Sequence, residues 1–463
     1  MYHLPYARFL LEQHGLAVNP YLRFPLFPQH LYLVFAYGLA AGGPVFVQLV
    51  NLSFPIIIVF FLGGLGKELG GNYLLGILVA LFFLSMDQVE QIMPYAYVDM
   101  GYTMFCTAAV IGVYLWYRYQ HEAWLWISAI AGGSAIGTKY FAIAFIGILA
   151  GMILISSRSA HKFLMYTLIV FCVGGFWYLR NLIISGDPFH PLGGPIFGFY
   201  LWSPIDLESH MSTISRKFAG NLIDILSALV EMNAHLFILG VGIIVLYTCF
   251  SPGMTVLWGV IAGYFLIWGF FLHGDRYLLP ALPIGCLLGG WGLQQVAQTL
   301  IQRTGLKKIS FEHVGLGAVG LFALFMVGIN AQEYVHNVRT GFEQSLKAKP
   351  GYELMRKANE YTPKYGDRLY QLGFENLIYF FDGQVVGDWF GPGRYRSIKP
   401  GKGSTWDMNN LRSYFRQHDI QLLVVNSSRF DLDLDPLREQ AQILYEDEHG
   451  ILVRIDPGPN HGE

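Results

Sequence analysis

Charge is the first thing this chain lacks. Only 13% of its 463 residues are Asp, Glu, Lys or Arg, against about 25% in a soluble domain. Cysteine is scarce too: Cys106, Cys172, Cys249 and Cys286 are the whole set, each inside an apolar run. With no Cys-x-x-Cys pair and no Cys/His cluster, neither a zinc-site spacing nor a disulfide framework is present. A net charge of −2 without a basic stripe gives no footprint for nucleic acid. Residues 2–28 carry Arg8, Glu12 and Arg23 and lack the continuous apolar core of a cleavable signal peptide.

What charge there is lies unevenly. Residues 1–330 hold 27 charged side chains, about 8%, and the last 133 residues hold 35, about 26%. The second value is that of an ordinary soluble domain. The chain therefore reads as a membrane body followed by a soluble tail. Hydrophobic residues make up 54% of it, which excludes a disordered or collagen-like protein.

A helix crossing a bilayer needs roughly 20 mainly apolar residues, because its backbone must satisfy its own hydrogen bonds there. Arg23 to Lys67 and Glu231 to Asp275 each enclose 43 residues without charge. The expected spans are Pro44–Gly64, Tyr73–Ser85, Gly101–Tyr117, Ala123–Gly137 and Tyr140–Ile155, then Phe163–Tyr178, His235–Phe250, Met254–Leu272, Tyr277–Val296 and His313–Asn330. Leu31–Gly43 and Arg216–Asn233 read as interfacial helices. The fold class is thus a polytopic α-helical membrane protein of about ten spans, with a small C-terminal α/β domain. Residues 1–43 form an outer loop and interfacial helix, 44–330 the body, and 331–463 the tail. Lys67, Arg118, Arg158, Lys162, Arg303, Lys307 and Lys308 fall in alternate loops. They mark the cytoplasmic side and place the tail outside it.

In the tail, Arg368–Gly373, Gln384–Trp389, Ile420–Asn426, Gln442–Glu446 and Ile451–Ile455 read as strands, and Tyr352–Tyr361 and Trp406–His418 as helices. Glu446 to Gly450 reads as a hairpin turn. Two pattern matches carry no function. Gly315, Gly317 and Gly320 fit GxGxxG without a preceding strand, so close helix packing explains them better. Asp431, Asp433 and Asp435 start like a calcium loop, but Pro436 stands where Gly is needed and Gln442 where Glu is.

Four ionisable residues face the outer side at segment ends. Asp99 precedes a helix and would serve equally well as its N-cap. Lys139 follows Gly137-Thr138 and could be a snorkelling lysine. Arg180, in Trp177-Tyr178-Leu179-Arg180-Asn181, and Arg276, in Arg276-Tyr277-Leu278-Leu279-Pro280, could each be an interfacial anchor. Taken together on one leaflet, three cations and a carboxylate point to a site.

These segments, with Tyr2-His3-Leu4-Pro5 ahead of them and Gly186-Asp187-Pro188 after Asn181, occur in an order that resembles the bacterial polytopic glycosyltransferases of the GT-C superfamily. The nearest group is that of the protein-mannosyltransferase and aminoarabinose-transferase relatives, and the likeness covers nearly the whole chain. It implies an inverting, metal-independent transfer without a cofactor, from a polyprenyl-phosphate sugar donor to an envelope glycan, lipid or protein acceptor. The enzyme would sit in the bacterial inner membrane among its lipids, with the site facing the periplasm. By the same likeness Asp99 is the catalytic carboxylate of the second outer loop, and Lys139, Arg180, Arg276 and His3 bind the lipid phosphate or substrate. Family enzymes carry a further acidic residue in the first outer loop, just ahead of the Tyr2-His3 position. An upstream stretch encoding a spanning helix and that acid is therefore expected.

The residue types suit the chemistry. A carboxylate takes the acceptor's hydroxyl proton, and cations offset the charge on the departing phosphate, arginine bidentately. The rival readings are a transporter, for which paired internal halves are missing, and an inactive relative whose tail binds a surface polymer. Turnover in detergent, without compartments, separates transferase from transporter. The topology has its own check: cysteines introduced at Asn376, Asn426 and His449 should react with a membrane-impermeant thiol reagent in intact spheroplasts. Labelling only after lysis overturns it.

Overall fold

The computed structural model describes residues 2–70, 73–215, 252–272, 274–304, 342–401, 405–430 and 432–456, with Ser227, Leu229, Val230, Glu231, Ala234 and Phe237 in between. The expected spans His235–Phe250 and His313–Asn330, most of the interfacial segment Arg216–Asn233, and the Gly315–Gly320 pattern lie outside these residues. The chain divides into two compact units: Met1–Pro25, Gly194–Leu207 and Ala331–Glu463 form one, and Leu26–Gly193 with Glu208–Asn330 the other.

Helix α1 spans His3–Glu12 and α2 His30–Gly70. They are followed by α3 (Tyr73–Leu84), α4 (Asp87–Ile92), α5 (Asp99–Tyr119), α6 (Ala123–Ile136), α7 (Ala142–Ser157), α8 (Ala160–Gly174) and α9 (Phe176–Ser185). Among the described residues, α2, α5 and Gly253–Phe270 are long and apolar enough to cross a membrane, and α8 with α9 form a fourth candidate bent by 60°. Helices α3, α6 and α7 are apolar but shorter. The chain is an integral membrane protein.

Three details differ from the sequence reading. The loop expected over residues 2–28 contains α1, whose Pro5 sits in the first turn, where its missing N–H costs nothing. Leu31–Gly43 and Pro44–Gly64 are not separate elements but the two arms of α2. They are joined by a kink at Gly42 and Gly43, and Gly43 takes a φ of 72° that favours glycine. The expected span Phe163–Tyr178 breaks at Gly175 and resumes as α9. Paired glycines are a recognised cause of such breaks, and here Gly174 lies against the backbone of α6.

The other unit holds a five-stranded sheet ordered β2-β1-β3-β5-β4, with β1 at Arg368–Leu372, β2 at Gln384–Val386, β3 at Leu422–Asn426, β4 at Gln442–Asp447 and β5 at Gly450–Arg454. β1 pairs in parallel with β2 and β3, while β5 pairs antiparallel with β3 and β4. Alternation along β3 sends Leu422 and Val424 to one face, with Leu354, Met355 and Leu452. Leu423 and Val425 go to the other, with Phe415, Ile451 and Val453. Covering both faces is what makes the strand read as an unbroken apolar run.

Ion pairs join the three chain stretches of this unit. Arg8 donates to the carbonyls of Tyr379 and Phe381 at 2.9 and 3.1 Å and meets Asp382 at 3.1 Å. Arg394 meets Asp206 at 3.1 Å. Arg23 grips Asp388 through both carboxylate oxygens, and burial holds the Asp388 carboxyl above its usual range despite that cation. Removing one partner of a buried pair typically costs 3–5 kcal/mol, because the other charge stays uncompensated. Arg23→Ala should therefore lower the thermal midpoint clearly, and adding Asp388→Ala should recover part of the loss. A double variant less stable than the sum of the singles contradicts this account.

Candidate active site

The site is built around the N-terminus of α5. Asp99 is the first residue of the helix and is completely buried. Its oxygens turn away from capping: Oδ1 accepts from Lys139 Nζ at 2.7 Å and Oδ2 from Arg276 Nη2 at 2.6 Å. Both are charge-assisted hydrogen bonds of the strong class. The two cations differ in access, the Lys139 side chain being 16% exposed and that of Arg276 45%. The Arg276 guanidinium lies 4.7 Å from the Tyr97 ring centre, and Lys139 Nζ lies 5.7 Å from that of Tyr102. One carboxylate and two cations leave the cluster with a net charge of plus one. A charge next to apolar spans would be costly without partners, and here each has one.

Each arm is fixed by polar side chains on neighbouring elements. Buried Asn51, inside α2, donates through Nδ2 to the carbonyls of Met93 and Tyr95 at 3.1 and 2.6 Å, holding the loop that leads to Asp99. A Cβ on Gly101, two residues on, would meet Leu31 and Phe54, so glycine lets α2 approach α5 closely. The Lys139 turn is tied by the His30 N–H on the Gly137 carbonyl at 2.9 Å and the Tyr178 hydroxyl on that of Ile136 at 2.8 Å. Before Arg276 the helix Pro252–Ile267 widens into a π-turn over Trp268–Leu272, a form common at functional sites. The Trp268 indole donates to the Gly274 carbonyl at 2.9 Å, and the Tyr264 hydroxyl to that of Tyr277 at 2.8 Å.

The other sequence candidates go elsewhere. Arg180 is buried and donates to Gln29 Oε1 at 2.9 Å and to Asn181 Oδ1, and its guanidinium stacks 4.8 Å from the Trp177 ring centre. Asn181 donates to the Leu26 carbonyl at 2.6 Å and to the Tyr140 hydroxyl at 2.8 Å. Tyr140 in turn donates to the carbonyls of Leu26 and His190. The Arg180-Asn181 pair thus pins residues 26–29 and the loop after Gly186. His3 is buried beside Tyr2 in α1 and belongs to the other unit. Sequence reasoning missed Asn51, Tyr97, Tyr264 and Trp268. Asn51 did leave a signal, as the one asparagine, beside Gln29 and Gln48, in a 43-residue charge-free run.

A family model described as SF2091/S2213 matches residues 341–454. The Shigella flexneri "uncharacterized protein SF2092/S2214" is 33% identical over 138 residues, 28% of this chain and 71% of that one. The Shigella flexneri "uncharacterized protein SF2091.1/S2213" is 33% identical over 117 residues, 25% of this chain and 98% of its own length. The chain belongs to the family of these Shigella proteins. Its fold is that of the GT-C glycosyltransferases. ArnT from Cupriavidus metallidurans bound to undecaprenyl phosphate superposes with a TM-score of 0.61 at 13% identity, covering 99% of this chain and 94% of that one. The oligosaccharyltransferase AglB from Archaeoglobus fulgidus, in complex with an inhibitory peptide and a dolichol-phosphate, gives 0.51 at 10% identity, covering 92% and 65%.

Asn51→Leu keeps the volume but leaves two carbonyls without their donor, a loss of about 1–3 kcal/mol each where they are buried. Hydrogen exchange over residues 93–98 should quicken in this variant while exchange in the sheet of the other unit stays unchanged. Unaltered exchange at 93–98 removes Asn51 from this role.

Proposed function

We propose that this protein is a glycosyltransferase moving a sugar from a polyprenyl-phosphate donor to an acceptor hydroxyl, and that the Asp99–Lys139–Arg276 cluster receives the donor's phosphate. The observation that carries this is a fully buried carboxylate holding two cations, one of them almost half exposed. The cluster has a net positive charge, and Arg276 presents the planar fork that suits phosphate oxygens. The GT-C fold supports the same reading, since solved relatives of that fold hold undecaprenyl phosphate or dolichol-phosphate.

The reaction follows from the charges. The acceptor oxygen bonds to the sugar's anomeric carbon, from the face opposite the phosphate in an inverting transfer. The carbon–oxygen bond to the phosphate breaks, and its electron pair leaves with the polyprenyl phosphate. The charge gained there is balanced by Lys139 and Arg276, already oriented before the bond breaks. Asp99 has both oxygens committed to those cations, so in this reading it positions them and does not take the acceptor proton. That proton goes to another carboxylate. In this reading the site and the sheet-bearing unit lie outside the cytoplasm at the bacterial inner membrane, with about ten spans in the body, and the basic residues of alternate loops support it.

Arg276→Ala should lower transfer on the order of 10²–10³-fold, the usual cost of removing one preorganised charge contact to the reacting group. Asp99→Asn should also reduce transfer strongly, because two cations then face each other without the carboxylate. Both are measured with lipid-linked sugars in detergent. Full turnover in both variants refutes the assignment, and a requirement for sealed vesicles favours a transporter.

A further inference from the structure

The sheet-bearing unit contains a cleft of about 350 Å³ between α1 and the N-terminal ends of β1 and β2. That is near the lower bound of small-ligand pockets, with room for roughly one or two sugar rings. We infer that this cleft binds a neutral saccharide. The inference deepens the transferase reading by giving this unit an acceptor glycan to hold, and it rests on that reading only for the glycan's role.

Three properties of the walls select this ligand. The first is charge. The walls carry two cations, Arg8 and Arg368, against three carboxylates, Glu12, Asp367 and Asp382. Arg8 is already held by Glu12 at 2.6 Å, by Asp382 at 3.1 Å and by two carbonyls, so no surplus cation remains for a phosphate or an acidic sugar. The second is uncommitted polar capacity. Among the described residues, the side-chain amides of Gln13 and Gln384, the Tyr379 hydroxyl and the Asp367 carboxylate line the cleft without a recorded hydrogen-bond partner. Asn19 accepts from the Tyr21 N–H through Oδ1, and its amide NH₂ remains. Amides donate to and accept from vicinal hydroxyls and a carboxylate accepts from them, which suits the pattern a sugar ring presents. The third is the half-buried pair Phe9 and Tyr379, which offers apolar ring surface to the C–H face of a pyranose while the tyrosine keeps a polar tip.

The test uses the full-length chain in detergent and titrates maltose and chitobiose as neutral probes, glucuronate as the anionic one and glucosamine as the cationic one. Saturation-transfer NMR reads binding. Maltose or chitobiose should bind, and Gln13→Ala, Gln384→Ala and Tyr379→Phe should each weaken that binding about fivefold, the equivalent of one ordinary hydrogen bond. Gln13 and Gln384 touch no ion pair, and Tyr379→Phe keeps the carbonyl and ring that meet Arg8, so folding is not at stake. Binding should persist in Arg276→Ala, which lies in the other unit, so failure of the transferase reading and failure of the saccharide site remain separable. Failure of both neutral probes to bind overturns the inference. So does preference for glucuronate or glucosamine, or parent-like affinity in all three variants.

Discussion

A carboxylate with no contact to water has to be neutralised where it stands, and the membrane unit is arranged around that requirement. Asp99 is reached from three separate chain segments: its own helix start, the turn after α6 and the stretch after the π-turn. Two cations meet it, and each approach is fixed by a hydrogen bond to a backbone carbonyl, from Asn51, Tyr178, Trp268 or Tyr264. The energetic logic is one of necessity. A buried ion pair adds little over an apolar contact of the same shape, but either half alone is strongly unfavourable. The cluster is therefore better explained by what the charges do than by any stability they supply.

Much of the architecture was legible because it follows from periodicity. Four of the five strands of the tail fall within two residues of where alternation and turn residues place them, as do α3, α6 and α7, while β2 starts at Gln384 as expected but ends at Val386, three residues before Trp389. The turn between β4 and β5 likewise forms where Glu446 to Gly450 predicts it, with the Asp447 carboxylate accepting from the N–H groups of His449 and Gly450. Asp99, Lys139 and Arg276 stood out for the simple reason that charge is rare in apolar sequence. What local pattern does not encode is who meets whom. Arg180 looked the same as Arg276 in sequence, yet it is bound to the neutral Gln29 and Asn181. The break at Gly175 and the fusion of two arms into α2 depend on how closely neighbouring helices approach, which a single chain's pattern does not state.

Open sheets of this kind offer a natural ligand position where the chain switches winding direction, at the C-terminal ends of the strands on either side. Here β2 and β3 flank β1, so that position lies beyond Leu372 and Asn426. It is occupied by the protein's own groups. Glu375 accepts from the Tyr395 hydroxyl at 2.6 Å and pairs with Arg429, and Asn426 donates to the Gly373 carbonyl at 3.2 Å. Gln371 adds bonds to the Gly387 carbonyl and to Tyr395 at 2.7 and 2.9 Å. The network turns a customary cofactor crevice into a structural plug, and the cleft lies at the opposite strand ends.

The stitched construction of the sheet-bearing unit sets a clock on its assembly. Arg8 and Arg23 precede their partners Asp382 and Asp388 by 374 and 365 residues. At roughly 5–20 residues per second of synthesis, they wait about 20–75 seconds for those carboxylates to emerge. The apolar spans of the other unit are made in that interval. A ribosome that stalls before Asp382 therefore leaves Arg8 and Arg23 without those carboxylates in an already inserted protein, a state a quality-control protease would distinguish from the finished chain.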